Sequence, residues 1–436
     1  MDPLEHIIQF LKQTDELETA SALLKSFKKY STSIEQYDQL GRLFHDVKDY
    51  SEAIDCAERT LVMAANPNQM FAARANLAKL YNHTNQPQKA LNYINANLSV
   101  DTNNYECLME KVFSYYLSGD FSASQKLTEE LLSNPELPKT VKERCEFNYG
   151  SYLMDSGEFK QGMINFIDIG HQIGIWPKTQ FPGKPWDTSV EPGKTIAIQA
   201  EGGIGDEIIN IRFAKNIKEL GMNPVFVTNR NDTLNLFTRN GFDVVRDKSQ
   251  VPEDAEWILS MYLPIALDLN KDQLWEKPYL IPDAEYVEKW KKILPKGKKV
   301  SIRWQGNPYY DQDLHRSIPL NDLNEYLDLN REDVIFVSVQ KDNFEGIEKY
   351  PKVFDAAPYL ESLEDLLACL SLMDYNISSC TSVAHVAAAA GLPVAVFPPI
   401  ATYYTWLGDA KWYGDNCTVY RQKQWKDWSH LKQLEI

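Results

Sequence analysis

Thr195-Ile-Ala-Ile-Gln-Ala-Glu-Gly-Gly-Ile-Gly-Asp-Glu-Ile-Ile209 decides how the rest of the chain is read. An apolar run of strand type, Thr195 to Ala200, enters a glycine-rich turn at Gly202, Gly203 and Gly205. The carboxylates Asp206 and Glu207 follow, then a helical pattern that turns Ile208, Ile211, Ile217 and Leu220 inward. Strand, tight turn and helix are how an α/β domain begins and how it forms a crevice. The third glycine of a dinucleotide fingerprint would fall at Ile208, and no Gly-Lys-Ser/Thr follows, so neither nucleotide loop is present. What remains is a turn of little bulk with an acid at a helix N-terminus. The helix dipole favours a carboxylate there and lowers its pKa. Asp206 is therefore expected to be ionised near neutral pH and able to take a proton from a bound hydroxyl. A plain helix N-cap is the other reading, and these residues alone leave both open.

Outside this stretch, 436 residues suggest two to four domains with ample core. A net charge of −16, spread evenly, and the lack of any basic stripe disfavour extended contact with nucleic acid or anionic lipid. The opening Met-Asp-Pro-Leu-Glu-His has no basic segment or long apolar core, so no secretory signal is expected. No apolar run approaches the roughly 20 residues that span a bilayer. Six cysteines, at 56, 107, 145, 369, 380 and 417, lie far apart with no CxxC. Reduced thiols in a cytoplasmic protein are the expectation, without structural zinc.

Residues 1–170 show apolar spacings of three and four and no strand alternation. Leu40-Gly41-x-x-Phe44 leads to Asp49-Tyr50-x-x-Ala53, and Leu77-Ala78-x-x-Tyr81 to Pro87-x-x-Ala90. Val112-x-x-Tyr115 leads to Asp120-Phe121-x-x-Ser124, and Tyr149-Gly150-x-x-Leu153 to Glu158-Phe159-x-x-Gly162. The small residues Ala53, Ala90, Ser124 and Gly162 recur at 37, 34 and 38 residues, near the tetratricopeptide period of about 34. A small side chain there lets the second helix of each unit lie close on the first. Such an array offers a concave surface to a partner, or serves as a spacer whose aromatics are all core. Residues 171–194, with Trp176-Pro177, Phe181-Pro-Gly-Lys-Pro-Trp186 and Glu191-Pro-Gly193, read as a linker packed on something.

From 195 strands and helices alternate. Pro224 to Thr228, Val244-Val245 and Trp257 to Met261 read as strands of a first half, 195–290, and polar residues 268–297 as a crossing. Lys299 to Trp304, Val334 to Gln340, Tyr375 to Ser378 and Pro393 to Phe397 read as strands of a second half, 295–436. Two such halves imply a cleft between them. In the second half Thr381 and Ser382 open an Ala-rich helix whose free N–H groups suit phosphate oxygens, and Arg316 suits a diphosphate. His385 lies on the same helix, where packing and ligand roles both stay open. Asp311-Gln-Asp313 imitates a metal-binding DxD in a loop where acidic pairs are common. Cys380 has no base at a readable spacing and is taken as a small lining residue.

Phe181-Pro-Gly-x-Pro-Trp186, Glu201-x-Gly-Ile-Gly-Asp-Glu207, Trp304-x-Gly-Asn-Pro308, Arg316-Ser-Ile-Pro319 and Thr381-x-x-Ala-His385 together carry a resemblance. Pro393-Val-x-Val-Phe397, Trp406 to Trp412 and Tyr420-Arg421-Gln422 extend it. The chain resembles bacterial and phage tetratricopeptide proteins with a C-terminal glycosyltransferase domain. That domain is similar to the ADP-heptose:lipopolysaccharide heptosyltransferases (glycosyltransferase family 9) and, more distantly, to protein O-GlcNAc transferases. The resemblance implies a helical solenoid ahead of a GT-B pair of Rossmann-like domains, and an inverting, metal-independent sugar transfer from a nucleotide diphosphate sugar. It places Asp206 as general base, with Gly203, Gly205 and Glu207 in the acceptor-side loop. Arg316, Thr381, Ser382, His385, Gln305, Asn307, Gln340 and Cys380 fall on the donor side. It implies no cofactor. Cys380 stands where the family usually carries an acidic residue facing the donor sugar. The acceptor is expected to be a saccharide or protein, with modified phage DNA as a further case, and the repeats to serve protein contact or self-association. A degenerate transferase half carried by a repeat scaffold is the alternative.

Overall fold

The structure is a computed structural model that describes residues 6, 9–11, 16–175, 181, 183–307, 310, 313–341 and 346–436. The chain forms two compact units, Met1–Pro135 and Glu136–Ile436. No helix among the described residues is long and apolar enough to cross a membrane.

The first unit is helical throughout its described residues. Its helices are α1 (Leu17–Lys28), α2 (Ile34–Asp46), α3 (Tyr50–Met63), α4 (Pro67–His83), α5 (Pro87–Leu98), α6 (Tyr105–Leu117) and α7 (Phe121–Leu132). Each packs on its sequence neighbour, which is the habit of a tetratricopeptide-like stack. The starts are written in the sequence. Asp49, Asn66, Asn104 and Asp120 accept a hydrogen bond from the backbone N–H three residues on, and Pro67 and Pro87 sit in the first turn, where no N–H is needed. The small residues face inward as the repeat requires. Ala53, Ala90 and Ser124 are fully buried, and the Ser124 hydroxyl donates to the Val112 carbonyl at 2.6 Å.

In the second unit, α8 (Lys139–Asp155) and α9 (Phe159–Ile164) form the fourth repeat pair. A Cβ on Gly162 would lie 2.7 Å from the Gly150 carbonyl oxygen, so these two helices touch backbone to backbone. The second helix runs on through a π-helical stretch, Asn165–Ile169, into Gly170–Gln172. Met154, Phe159, Met163, Phe166 and Ile167 belong to the same apolar core as the α/β elements that follow. The division between compact units thus falls ahead of this pair, not at the proline-rich linker. The linker is packed, as its aromatics suggest. Trp186 is buried, its backbone N–H bonds the Trp257 carbonyl at 2.8 Å, and Pro185 bridges to Trp257.

Two parallel sheets follow. The first holds β1 (Thr195–Gln199), β2 (Asn223–Val227), β3 (Val244–Val245) and β4 (Glu256–Leu259) in the order β3-β2-β1-β4. The second holds β5 (Lys299–Arg303), β6 (Ile335–Ser338), β7 (Phe354–Asp355), β8 (Tyr375–Ser379), β9 (Val394–Phe397) and β10 (Cys417–Val419) in the order β10-β9-β8-β5-β6-β7. Ile196, Ala197 and Ile198 are fully buried, as a strand covered on both faces must be. Both orders are those of a doubly wound sheet. Such a sheet reverses direction beside its first strand and opens a crevice at the carboxyl end of that strand. The reversal points here are β1/β4 and β5/β8. The architecture is an all-helical stretch followed by two Rossmann-like halves of the GT-B kind.

The stretch 268–297 is not simply a crossing. Asp283 caps α10 (Ala284–Ile293), which buries Trp290 and hands its indole N–H to Asp365 at 3.0 Å. Asp365 lies on α11 (Leu363–Ser371), and the neighbouring Glu364 takes both arms of Arg239 at 2.7 and 2.6 Å. That fork ties the first half to the second.

Candidate active site between the two sheets

The glycine turn after β1 leads into the helix Ile204–Ile211. Gly202 has φ of +70°, a conformation a side chain would strain. Gly203 is the cap of the helix and Asp206 its third residue, so Asp206 is not itself the N-cap. Its Oδ2 accepts the Gly203 N–H at 2.7 Å, the backward half of a capping box. The expected depression of its pKa by the helix dipole is overturned. Burial outweighs the Gly203 and Tyr403 hydrogen bonds, and the nearby Glu201 charge adds to it, so the carboxyl is pushed up to about 6. Only 9% of Asp206 is exposed. It remains largely ionised at neutral pH, now as a poised base.

Glu207 turns the other way. Fully buried, it pairs with Arg230 and accepts the hydroxyls of Thr228 at 2.9 Å and Thr233 at 2.6 Å. Its carboxylate fastens the turn to the end of β2 and is occupied inside the first half. Glu201, just before the glycines, lies 3.0 Å from His171 Nε2, at the end of the fourth repeat pair.

Opposite stand the ends of β5 and β8. Thr381 is extended and caps the helix Ser382–Ala389, yet its side chain does not close the cap. Its hydroxyl is 3.0 Å from that of Ser378 instead, which leaves the first N–H groups of this helix without a side-chain partner among the described residues. The fully buried Gln340, just past β6, accepts the Gln305 N–H at 3.1 Å. Arg316 donates Nε to Asp313 at 2.8 Å and Nη1 to the Cys380 carbonyl at 2.9 Å, and its guanidinium covers the Tyr310 ring at 4.7 Å. A Cβ on Gly306 would collide with this guanidinium, so Gly306 makes room for it. Arg316 is therefore fixed at the mouth of the Thr381 turn. In the same loop the Asn307 carbonyl accepts the Tyr310 N–H at 3.0 Å.

Asp313 also accepts the Ser317 hydroxyl at 3.0 Å, so this half of the acidic Asp311-Gln-Asp313 motif is engaged with its own loop. Asp311 lies outside the described residues, as do Trp176, Pro177, Pro182 and Pro308. No group of three or more His, Cys, Asp or Glu among the described residues is arranged to hold a metal ion.

The two lips meet at His385. A Cβ on Gly205 would lie 2.7 Å from its Cδ2, the ring stacks on Trp406 at 4.9 Å, and Nδ1 is 2.9 Å from the Tyr413 hydroxyl. Burial, reinforced by Arg212, pushes the imidazole down to about 3, so His385 is neutral. The indole N–H of Trp406 points at Cys380 Sγ, 3.1 Å away. Burial, with a smaller push from Asp206, holds this thiol above its ordinary value, so Cys380 is a lining thiol and not an ionised nucleophile. Tyr403 covers Asp206 and shares a hydrogen bond with it. Asp206, Tyr403, Cys380, Arg316, Thr381 and His385 thus form one neighbourhood drawn from both halves.

Sequence reasoning missed Tyr403, Tyr413, Tyr279 and Arg212. The aromatic run from Tyr403 to Trp406 was the available signal. Buried Arg212 bonds the carbonyls of Ile209, Leu274 and Trp412 and lies over the Trp275, Tyr279 and Tyr413 rings.

No protein-family model matches this chain, and no curated protein matches it. Among solved structures it is similar to a glycosyl transferase family 9 protein from Veillonella parvula, at 11% identity and a TM-score of 0.39, over 54% of this chain and 87% of that one. It is also similar to an O-GlcNAc transferase variant from Thermobaculum terrenum, at 13% and 0.33, over 86% and 85% of the two chains. The ADP-heptose lipopolysaccharide heptosyltransferase II of E. coli is similar at 10% and 0.35, over 55% and 96%.

Proposed function

We propose that the second unit transfers a sugar from a nucleotide diphosphate sugar to an acceptor hydroxyl, with inversion and with Asp206 as general base. The observation that carries this reading is the meeting of the two reversal points. A buried carboxylate poised at about 6 stands on one lip. An uncapped helix N-terminus with Arg316 beside it stands on the other.

In this reaction Asp206 takes the acceptor proton as the acceptor oxygen forms a bond to the anomeric carbon. The bond from that carbon to the diphosphate oxygen breaks, and its electron pair leaves with the diphosphate. The N–H groups of the Ser382 helix and the Arg316 guanidinium then meet the developing charge. Gln305, Asn307 and Gln340 shape the loop around the donor, and Gly203 and Gly205 keep the acceptor lip thin. Because Tyr403 lies on Asp206, an acceptor hydroxyl must displace the phenol to reach the base. A saccharide or protein acceptor suits an acidic chain better than DNA does.

Screening UDP-, GDP- and ADP-sugars for binding by thermal shift, then for turnover, tests the reading, since a bound donor raises Tm by mass action. Turnover that vanishes in Asp206→Asn is the expected result. Two features favour a second reading, a binding scaffold without turnover: Asp206 is covered, and Cys380 stands where the resemblance expects an acid. Nucleotide binding with no turnover of any donor would select it.

A further inference from the structure

The second unit also holds an open cavity of about 460 Å³, with Trp275, Tyr413, Gly414, Asp409, Lys411 and Asp415 in its lining, within the roughly 300–1,000 Å³ of small-molecule sites. Asp206, Cys380, Arg316 and Thr381 do not line it. Two of its walls are rings. Trp275 and Tyr413 have centroids 5.6 Å apart and planes at 61°, so they make a corner and not a parallel slot. Arg212 lies over both, at 5.6 and 4.8 Å, and being buried and outside the lining it backs the corner from within. A neighbouring segment fixes the rim. Lys271 binds the Asp409 carboxylate at 2.8 and 2.6 Å, its carbonyl accepts the Lys411 N–H at 2.8 Å, and Lys411 Nζ is 3.7 Å from Asp272. Two polar groups are left over. The Asp415 side chain has no hydrogen bond or ion pair among the described residues, and the Trp275 indole N–H has no hydrogen bond among them. Gly414 makes room for that indole, since a Cβ there would sit 2.6 Å from Nε1. Its backbone is not left-handed, so space and not conformation calls for the glycine.

We infer that this corner binds a sugar ring, its C–H faces against Trp275 and Tyr413 and its hydroxyls on Asp415 and the indole N–H, at a carbohydrate site separate from the transfer cleft. Charge argues for a neutral guest. The cations Arg212, Lys271 and Lys411 stand against the carboxylates Asp272, Asp409 and Asp415, so no net charge draws in an ion. Arg212 already faces both rings and repels a second cation placed on their outer side. The ionised side chains at the rim disfavour a purely apolar guest, which would strip them of water. A flat aromatic guest stacks on only one wall of a corner. A sugar presents both C–H faces and hydroxyl edges, and so meets rings and rim together. The Tyr413 hydroxyl is 2.9 Å from His385 Nδ1, so one side chain separates this cavity from the ring that touches Gly205. The place suits a saccharide acceptor anchored beside the cleft. That use rests on the transferase reading; sugar binding does not.

Saturation-transfer difference NMR on the full chain, with the methyl glycosides of glucose, galactose, mannose and N-acetylglucosamine, gives the test. At least one glycoside should show transfer to its ring C–H protons. Gly414→Ala, which drives a methyl group into the indole edge, should abolish the signal. Asp415→Asn, at a side chain without a partner, should weaken binding about tenfold, the worth of one hydrogen bond to a charged group. ADP and UDP, which the reading above sends to the Ser382 helix and Arg316, should leave the signal in place. No transfer to any of these glycosides, or a signal that either variant leaves unchanged, overturns the site. Displacement by adenosine, methylammonium or the nucleotides overturns it too, since each would mark a different guest. If a glycoside binds as expected yet no UDP-, GDP- or ADP-sugar is turned over, the transferase reading falls and takes the acceptor role with it, while the sugar site stands.

Discussion

Gly205 lies so close to the His385 ring that a Cβ added there would sit 2.7 Å from Cδ2. Backbone conformation does not explain the glycine, which is in the first turn of a helix at negative φ. Alanine would in fact favour the helix by up to about 1 kcal/mol. The contact opposes it, because overpacking a rigid ring costs about 1–3 kcal/mol. Gly205→Ala should therefore lower stability in chemical denaturation, and Gly205→Ala with His385→Ala should cost less than the two singles summed. Strict additivity would show that the helices do not meet through this pair.

The carboxyl of Asp206 gives a pH dependence with a defined sign. Burial raises its folded pKa to about 6 from an ordinary 3.8. The folded state thus holds this proton more tightly than the unfolded one. The resulting stabilisation is complete below about pH 4 and is lost as pH rises through about 6, by at most about 3 kcal/mol. Asp206→Asn removes the loss. Urea denaturation should show the variant more stable than the parent at pH 8, with the gap closing at pH 4.5. If the chain turns over a donor, the acidic limb of the rate should have its midpoint near 6, and the same variant should lose roughly 10²- to 10⁴-fold. A gap that widens toward acid would contradict this account.

What could be read in advance followed what is local. Ile196 to Ile198, the Gly202–Gly205 turn and the caps Asp49 and Asp120 each announce themselves within a few residues, so both halves and the helical repeats were legible. The two-residue strand at Phe354 and the short one at Cys417 were not, since neither is long enough to show a period. The chain's grouping of its fourth repeat pair with the α/β core was hidden too. It depends on Phe166 meeting Tyr404, ring to ring at 5.4 Å across more than two hundred residues. The pKa of Asp206 could not be read for the same reason: the helix dipole is visible in sequence, whereas the burial beside Tyr403 that outweighs it is not.

Cys380 can be exchanged for the acid that the resemblance expects. In Cys380→Asp a second carboxylate would stand near Asp206, whose charge already reaches the thiol, and like charges raise each other's pKa. Arg316, bonded to the backbone of this residue, offsets part of the repulsion. The variant should lose about 1–3 kcal/mol of stability at pH 8, less at pH 5, and move any acidic limb of the rate upward. A thermal-shift series across pH reads the first effect. Equal stability loss at both pH values would mean the new carboxylate does not sense Asp206.

Asp155 and Arg421 join the fourth repeat pair to the second sheet. Arg421 Nη1 reaches the two carboxylate oxygens at 2.9 and 2.8 Å, and Oδ1 also accepts the Gly408 N–H at 2.9 Å. The other guanidinium nitrogens bond the Ile400 carbonyl at 3.0 and 2.9 Å, so this fork sets one end of the loop that brings Tyr403 onto Asp206. The pair is part-buried, and hydrogen bonds to charged groups contribute about 1.5–3 kcal/mol. Asp155→Ala should cost about that much, whereas Asp155→Asn, which can still accept from Gly408, should cost less. Hydrogen exchange should quicken in both 400–408 and 139–172, because the contact holds both. Faster exchange confined to 139–172 would show that the Tyr403 loop keeps its place over the carboxylate without help from the helical pair.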